Sequence, residues 1–310
     1  MNALTAVNRL LQAASKRGSV LENPLVRRVG VLTALGAFCA GLALALRAHP
    51  DLLTVLDYRA WLLVFPLVPI TLLANSAQFW LTARLIGVTV GLPRAVLVTV
   101  LSAAANMLPL PGGSLVRIAA LKSHANTYGQ TTLATIFIAG CWLGVTLTLA
   151  GLALAYLEFR PAAIVCVSSG LLALGVFAGL LLSHGAAASR WLVGLVAVQT
   201  GMVVVGAIRL WLCFEAVGMS VALPQATVLT LSNVIASLIG IAPAGLGITE
   251  ALAAGLAAAI GISAASGFLA AVLNRISNLI VVGPTALLLH AMDMKGRPPG
   301  STAGNETSRE

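Results

Sequence analysis

Charged residues are scarce in this sequence. They make up 9% of its 310 residues, whereas soluble domains carry about a quarter. Hydrophobic residues reach 59%, so the chain cannot cover a water-facing surface. This composition excludes a soluble globular protein. It predicts an all-α polytopic membrane protein, because apolar runs of about 20 residues, the length of a membrane-spanning helix, recur along the chain.

Motifs for metal, nucleotide or nucleophilic chemistry are missing as well. The sequence has no HExxH, no Asp-rich metal motif, no P-loop and no recognisable nucleophile–base pair. Its cysteines, Cys39, Cys141, Cys166 and Cys213, lie in apolar segments and are not spaced as metal ligands or as a disulfide framework. We therefore expect no enzyme activity, no metal and no cofactor.

The net charge of +9 does not indicate nucleic-acid binding. Most basic residues lie in short segments beside apolar runs, where topology signals and contacts with anionic lipids occur. We therefore expect membrane lipids as partners and no nucleic acid.

Eight apolar segments are predicted to enter the membrane. They lie at about residues 28–47, 60–82, 95–122, 131–157, 161–183, 191–214, 226–262 and 266–290. Two of them, 95–122 and 226–262, are long and interrupted by Pro and Gly. Together the segments form one predicted transmembrane domain, 25–291. Residues 1–24 are predicted to be a cytoplasmic amphipathic or flexible segment, and residues 292–310 a disordered tail.

The two broken segments belong to an internal repeat. Residues 86–99, IGVTVGLPRAVLVT, align without gaps on residues 217–230, VGMSVALPQATVLT. Gly87 then matches Gly218, and Pro93 matches Pro224. Downstream, the break PGG matches PAG after a shift of one residue. Both copies therefore have a loop with Gly, a Leu-Pro pair, an apolar stretch and a Pro-Gly break, in that order.

The placement of Lys and Arg predicts how the segments cross the membrane. Five basic residues precede the first span, so the N-terminus is predicted to be cytoplasmic. If all eight segments crossed, Lys122 and Arg190 would face outward, against the positive-inside rule. If the two broken segments are re-entrant hairpins, four further basic residues face the cytoplasm, namely Arg84, Arg94, Lys122 and Arg190. The second layout is favoured. It makes the repeats inverted, as in transporters with broken helices near the bilayer midplane.

The second break lies in the stretch IGIAPAGLGITEAL, residues 239–252. Pro243 has no backbone N–H, and Gly245 and Gly247 loosen the helix, so the chain is predicted to leave the helical path there. Glu250 then falls in the first turn of the following half-helix, where the helix dipole favours a carboxylate. The free N–H groups of that turn are also suited to hold an anion such as a lipid phosphate.

Residues 226–290 contain two charged side chains, Glu250 and Arg275. A charge inside a membrane costs about 2.5–3.5 kcal/mol on insertion scales, so these two are predicted to pair. Two interpretations stay open: a structural ion pair that fixes helix packing, or a polar cavity that receives a charged group. The predicted lining of that cavity is Arg117, Glu250, Arg275, Asn274 and Asn278.

Other polar residues in the apolar segments are weaker candidates. The first break offers Pro111, Gly112 and Gly113, followed by Arg117. Candidates for the same cavity, or for hydrogen bonds between helices, are Asn75, Gln78, Asn106 and Asn233. Arg209 lies near the end of its span, where it is predicted to snorkel to the interface, and it has no predicted role.

These residues resemble a known family. APAGLGITEALAAGLAAAIGI at 242–262, followed by AVLNRISNLI at 271–280, is similar to the C-terminal signature of the lysylphosphatidylglycerol synthase transmembrane-region family. That signature is a Pro-Gly break, a Glu shortly after it and an Arg on the next helix. LPLPGGSLVRIAAL resembles the family's first Pro-Gly motif. Ala244 departs from the usual second Gly, and the usual acidic residue before Arg117 is missing.

The resemblance implies lipid translocation or lipid binding. The family includes the flippase part of the multiple peptide resistance factor, which moves aminoacylated phospholipid between leaflets. This sequence has no soluble aminoacyl-transferase domain, so no lysyl transfer is expected. The resemblance thus implies a flippase-like protein of a bacterial inner membrane. Arg117 and Arg275 would contact phosphate, and Glu250 would pair with Arg275 or with a cationic headgroup.

Alternatives come from two other functional classes. The first is an ion-coupled transporter of a small solute, which shares the inverted-repeat architecture. The second is a membrane enzyme, or a subunit of one, acting on a lipid-linked substrate. Expected partners are anionic or lipid-linked headgroups, together with either a second copy of the chain or a separate lipid-synthesising enzyme.

Overall fold

The described part of the chain is helical throughout its regular structure. The computed structural model describes residues 24–48, 50, 56–85, 87–106, 116–117, 120, 128–182, 188–239 and 245–295. No strand occurs within these ranges, which confirms the predicted all-α class. The last helix continues to Lys295, four residues into the predicted C-terminal tail. Residues 1–23 and 296–310 lie outside the described residues.

Eleven helices make up the described regions. In chain order they are α1 (Pro24–Ala48), α2 (Tyr58–Leu62), α3 (Leu67–Leu85), α4 (Leu92–Ala105), α5 (Tyr128–Tyr156), α6 (Arg160–Leu182), α7 (Ala188–Ala216), α8 (Leu223–Leu229), α9 (Leu231–Ile239), α10 (Ile248–Ala259) and α11 (Ala264–Lys295).

Five of the described helical stretches are long and apolar enough to cross a membrane. They are Tyr58–Leu85, Phe137–Tyr156, Arg160–Gly179, Trp191–Ala216 and Ala264–Leu289. Their outer surface is apolar; on α6, Ile164 and Leu172 are each 69% exposed. Large apolar side chains that face outward are stable in hydrocarbon and unfavourable in water. The chain is therefore a polytopic membrane protein, as the composition predicted.

The aligned segments of the repeat adopt the same backbone conformation. Gly87 and Gly218 have φ of +76° and +80°, a left-handed conformation that glycine adopts without strain. Each ends a long helix, α3 or α7, in the same hydrogen-bonded turn. The N–H of Val88 donates to the carbonyl of Ala83 at 2.8 Å, and at the equivalent place the N–H of Met219 donates to Phe214 at 2.9 Å.

The similarity continues on both sides of this turn. Gly91 and Ala222, which precede the two Leu-Pro pairs, are extended with φ/ψ of −71°/147° and −75°/147°. Upstream, Trp80-Leu81 in α3 matches Trp211-Leu212 in α7 at the same spacing. Each copy therefore consists of a long helix, a glycine turn, and a shorter helix that begins at Leu-Pro.

The two copies run in opposite directions. α3 and α7 pack against each other, and the start of the first lies beside the end of the second. The N–H of Asp57, just before α2, donates to the carbonyl of Ala216 at 3.0 Å. At the other end, the rings of Trp80 and Trp191 are 5.8 Å apart. Because equivalent helices are antiparallel, the repeat is inverted.

Contacts are also exchanged between the copies. The short helix of the first copy, α4, packs against α11, which follows the second copy. The short helix of the second copy, α8, packs against α5, which follows the first. This reciprocal packing is what a pseudo-two-fold relation between inverted repeats produces.

Each broken segment begins and ends on the same side of the helix bundle. Val217, just after α7, packs in one cluster with Phe268 and Leu269 near the start of α11. Leu85, at the end of α3, packs with Phe137 of α5. The chain between each pair must therefore turn back, which supports the re-entrant layout over eight full crossings.

The second hairpin is visible in its own contacts. α10 packs against both α8 and α9, and a Cβ on Gly245 would lie 3.1 Å from the Cβ of Ala236. The chain after the break therefore folds back along the chain before it. The middle of the first broken segment lies largely outside the described residues.

Basic residues near the helix ends fit this arrangement. Arg84 lies at the end of α3, on the side from which the first hairpin enters. Arg47, Arg59 and Arg160 lie at the end of α1, in α2 and at the start of α6, on the opposite side. In the re-entrant layout, the side of Arg84 is cytoplasmic and the side of Arg47, Arg59 and Arg160 is the outer one.

Candidate functional site

A cavity of about 370 Å³ lies at the interface of the two copies. Long helices α3, α5, α7 and α11 contribute to its wall, together with the broken segments α4, α9 and α10. Its lining is rich in polar side chains for a protein with so few of them. The polar lining residues are Thr71, Asn75, Asn106, Thr146, Arg209, Thr230, Ser232, Asn233, Ser237, Thr249, Glu250, Asn274, Arg275 and Asn278.

Many lining residues are equivalent positions of the two copies. The repeat alignment pairs Thr71 with Met202, Leu72 with Val203, Asn75 with Gly206 and Asn106 with Ser237. After the one-residue shift at the Pro-Gly break, it also pairs Trp142 with Asn274 and Thr146 with Asn278. A cavity lined by both members of each pair lies where the copies meet. The charged lining residues, by contrast, all come from the second half of the chain.

Glu250 is placed by the second break. Gly247 is the residue before α10 and has φ of +78°, so the chain leaves the helical path immediately before this half-helix, as predicted. Glu250 lies in the first turn of α10, and its Oε2 accepts the N–H of Gly247 at 2.8 Å. The carboxylate thereby satisfies a donor that the start of a helix otherwise leaves free.

Glu250 also forms an ion pair with Arg275 of α11. The Nε of Arg275 donates to Oε1 of Glu250. The two ends of the pair differ in environment, because the Glu250 side chain is 0% exposed and the Arg275 side chain is 15% exposed. The predicted partnership is therefore present in the structure, with the carboxylate sealed in protein and the guanidinium partly open.

Asn274 and Asn278 lie beside Arg275 on α11 and line the same cavity. The Nδ2 of Asn278 donates to the backbone carbonyl of Asn274 at 3.1 Å. The side-chain Oδ1 of Asn274 is buried and accepts no hydrogen bond within the described part of the protein. The wall of the cavity thus contains a buried acceptor that is unsatisfied within the described residues.

Arg209 also lines the cavity, which corrects the prediction that it snorkels to the interface. Its side chain is 4% exposed. Nη1 donates to Oγ1 of Thr71 and Nη2 donates to the carbonyl of Asn274, each at a distance of 3.4 Å. Nε has no hydrogen-bond partner among the described residues. Packing of α7 against α3 and α11 covers this face, so the guanidinium points into protein.

A longer alignment of the repeat indicates the same placement. At the repeat spacing, Arg209 matches Gln78, and both side chains are 4% exposed. Alignment upstream of the glycine turn was therefore the signal in the sequence that could have identified Arg209 as an inward-facing residue.

Arg117 lies elsewhere. It belongs to the short described stretch 116–117, where Val116 packs with Phe79 and Ala83. Arg117 is not among the described residues that line the cavity. The structure therefore does not bring it together with Glu250 and Arg275. Of the predicted break residues, Gly245 and Gly247 are described, and Pro111, Gly112, Gly113 and Pro243 lie outside the described residues.

Of the four weaker candidates, the three asparagines line the cavity and the glutamine does not. Asn75, Asn106 and Asn233 line the cavity. Gln78 is buried but is not part of the described lining. Polar residues from α3, α4 and α9 therefore complete the wall that the charged residues of α7, α10 and α11 begin.

The charges define what the cavity can bind. Two arginines and one glutamate give it a formal charge of +1. Among the described residues there is no group of three or more His, Cys, Asp or Glu that could hold a metal ion. Guanidinium groups and asparagine amides suit an anionic, hydrogen-bonding group instead.

Comparison with known proteins does not assign the chain. No family model matches it, and no curated protein matches it. The resemblance to the lysylphosphatidylglycerol synthase transmembrane-region family therefore stays a prediction from the motifs around Glu250 and Arg275.

Proposed function

We propose that this protein moves an anionic lipid headgroup, or a lipid-linked one, across a bacterial inner membrane. The observation that carries the proposal is a polar, positively charged cavity at the interface of inverted repeats whose broken helices meet there. Transporters place substrate sites at the same location, near the midplane, between discontinuous helices. The motifs around Glu250 and Arg275 add support through their resemblance to a family with lipid flippase members.

The headgroup would pass through the cavity while the acyl chains remain in the bilayer. Arg275, which is partly exposed and paired with Glu250, would contact phosphate without breaking the ion pair. Glu250 would hold Arg275 in place and would also cap the start of α10 through the N–H of Gly247. Rocking of one copy against the other around this site would open it to alternate sides.

The proposed orientation places the N-terminus in the cytoplasm. Five basic residues precede the first span, and Arg84 and Arg190 flank helix ends on the same side of the protein. Because basic residues concentrate on cytoplasmic loops, this side is assigned to the cytoplasm.

A small-solute transporter is the second candidate. The cavity volume of about 370 Å³ is compatible with it, because this is within the range of pockets that enclose a whole small molecule. A headgroup alone would also fit, so volume does not separate the two candidates. The separating property is whether acyl chains accompany the transported group.

The test is lipid translocation by purified protein in liposomes. Fluorescent phosphatidylglycerol and phosphatidylcholine would be compared for wild type, Glu250→Gln and Arg59→Gln. Arg59 is exposed in α2 and is not part of the cavity lining, so Arg59→Gln is the matched control for loss of a charge.

We expect transfer of phosphatidylglycerol by wild type and by the Arg59 variant, and at least a tenfold loss in Glu250→Gln, because each 1.4 kcal/mol in a barrier changes the rate about tenfold. If folded wild-type protein transferred neither lipid, translocation of phospholipids would be rejected and small solutes would be tested next.

A further inference from the structure

We infer that Arg209 and Asn274 form the anion-binding subsite of the cavity, and that this subsite takes an anionic oxygen carried next to a hydrogen-bond donor. A phosphodiester with a neighbouring hydroxyl group has this chemistry. The inference rests on the proposed function for its biological setting. It differs from that proposal in assigning recognition to Arg209, a residue that the motifs do not include.

The charge balance distinguishes Arg209 from Arg275. Within the described residues, the ion pairs are Glu250 with Arg275 and Glu158 with Arg160. Arg275 is therefore neutralised by a buried carboxylate. Arg209 is more deeply buried, yet its contacts are two neutral oxygens at 3.4 Å. A buried cation without a counter-charge is unfavourable, so an anion that entered the cavity would bind Arg209 in preference to Arg275.

Unsatisfied hydrogen-bonding atoms of Arg209 and Asn274 further restrict which ligand the subsite can bind. Among the described residues, Nε of Arg209 is a buried donor without a partner, and Oδ1 of Asn274 is a buried acceptor without a partner. The two residues are adjacent, since Nη2 of Arg209 donates to the carbonyl of Asn274. A ligand that satisfies both must present an acceptor to Arg209 and a donor to Asn274. An anion without a donor would leave Oδ1 of Asn274 unsatisfied.

The wall beside Arg209 leaves room for such a group. Gly206 lies one turn before Arg209 on α7 and also lines the cavity. A Cβ built on Gly206 would have its nearest neighbour, the Cγ2 of Thr230, at 3.9 Å. The cavity wall at Gly206, one turn from Arg209, is therefore not filled by a side chain.

The experiment measures ligand binding by purified protein in detergent, through the increase in thermal stability and by native mass spectrometry. Phosphatidylglycerol presents an anion and hydroxyl donors, whereas phosphatidylmethanol presents the same anion without a donor. Glycerophosphoglycerol is the same headgroup free of acyl chains. Variants would be Arg209→Gln, Arg209→Met, Asn274→Leu and, as the matched control, Arg59→Gln.

We expect Arg209→Gln to weaken binding of both lipids roughly tenfold or more, because one charge-assisted hydrogen bond is removed. Asn274→Leu should abolish the preference for phosphatidylglycerol over phosphatidylmethanol. Arg59→Gln should bind as wild type does. Stability without ligand should rise or stay unchanged in Arg209→Gln and Arg209→Met, since both remove an uncompensated buried charge.

Three results would overturn the inference. They are unchanged lipid binding in Arg209→Gln, a preference for phosphatidylglycerol that survives in Asn274→Leu, and loss of folding in both Arg209 variants, which would make Arg209 a structural residue. Binding of glycerophosphoglycerol as tight as that of phosphatidylglycerol would assign the subsite to a soluble anion. That result would support the anion chemistry and argue against lipid translocation. If Arg209→Gln binds lipid and translocates it as wild type does, the subsite is rejected and the proposed function still stands.

Discussion

The ion pair between Glu250 and Arg275 should respond unequally to loss of its two members. Glu250 is 0% exposed and Arg275 is 15% exposed on the cavity wall. Arg275→Gln would leave a sealed carboxylate without its cation, and breaking a buried pair in this way costs about 3–5 kcal/mol. Glu250→Gln would leave an arginine that can reach a polar cavity, and a glutamine oxygen would still accept the N–H of Gly247. We expect that cost to be about 1–3 kcal/mol.

The double variant separates the loss of one charge from the loss of the whole ion pair. Glu250→Gln combined with Arg275→Gln removes both charges, so no buried ion is left without a partner. We expect it to be more stable than Arg275→Gln alone, although it contains one more substitution. The free energy of coupling between the two positions would then be large and favourable, as for residues in direct contact.

Reversible unfolding of the purified protein in mixed micelles, with increasing SDS, gives the three free energies. Arg59→Gln again serves as the control for loss of an exposed charge. The reasoning would be refuted if Glu250→Gln were as costly as Arg275→Gln, or if the two single effects simply added in the double variant. The expected mild effect of Glu250→Gln also matters for function, because it makes this variant suitable for the translocation assay.

Three further perturbations follow from packing and burial. A Cβ on Gly267 would lie 2.6 Å from the Cβ of Ala257 and 2.9 Å from the carbonyl of Ala253, so Gly267→Ala should separate α10 from α11 and destabilise the protein by about 1–3 kcal/mol. Gly206→Ala, in open space on α7, should instead leave stability unchanged or raise it by up to about 1 kcal/mol. Equal changes in the free energy of SDS unfolding for Gly267→Ala and Gly206→Ala would contradict this expectation. Gln199 is 0% exposed and both polar atoms of its amide lack a partner among the described residues, so Gln199→Leu should raise the midpoint of thermal unfolding. A lower midpoint would mean that the amide makes a stabilising contact.

Local features of the fold could be predicted from the sequence because they depend on neighbouring residues. Apolar runs identify membrane helices, since a span must be about 20 residues long whatever it packs against. Gly87 and Gly218 mark equivalent turns because their left-handed backbone is set within a few residues. The same holds for Glu250, whose bond to Gly247 is a contact within one helical turn.

The ion pair was also predictable, for a different reason. Glu250 and Arg275 are the charged residues of a long apolar region, and in hydrocarbon an unpaired charge is costly enough to make pairing the expected outcome. Elimination of other partners, rather than any knowledge of the packing, led to this prediction.

Tertiary structure decided which of the remaining arginines faces the cavity. Hydropathy places Arg209 and Arg117 in or beside membrane segments, but it does not say which face of a helix meets another helix. The antiparallel packing of α7 against α3 and α11 turns Arg209 inward. In the described stretch with Arg117, Val116 packs beside Phe79, and Arg117 is not among the lining residues. The sequence by itself determined the class of protein, its repeat and its buried ion pair. The position of the cavity, and the arginine that faces it with no counter-charge among the described residues, depended on how distant helices pack together.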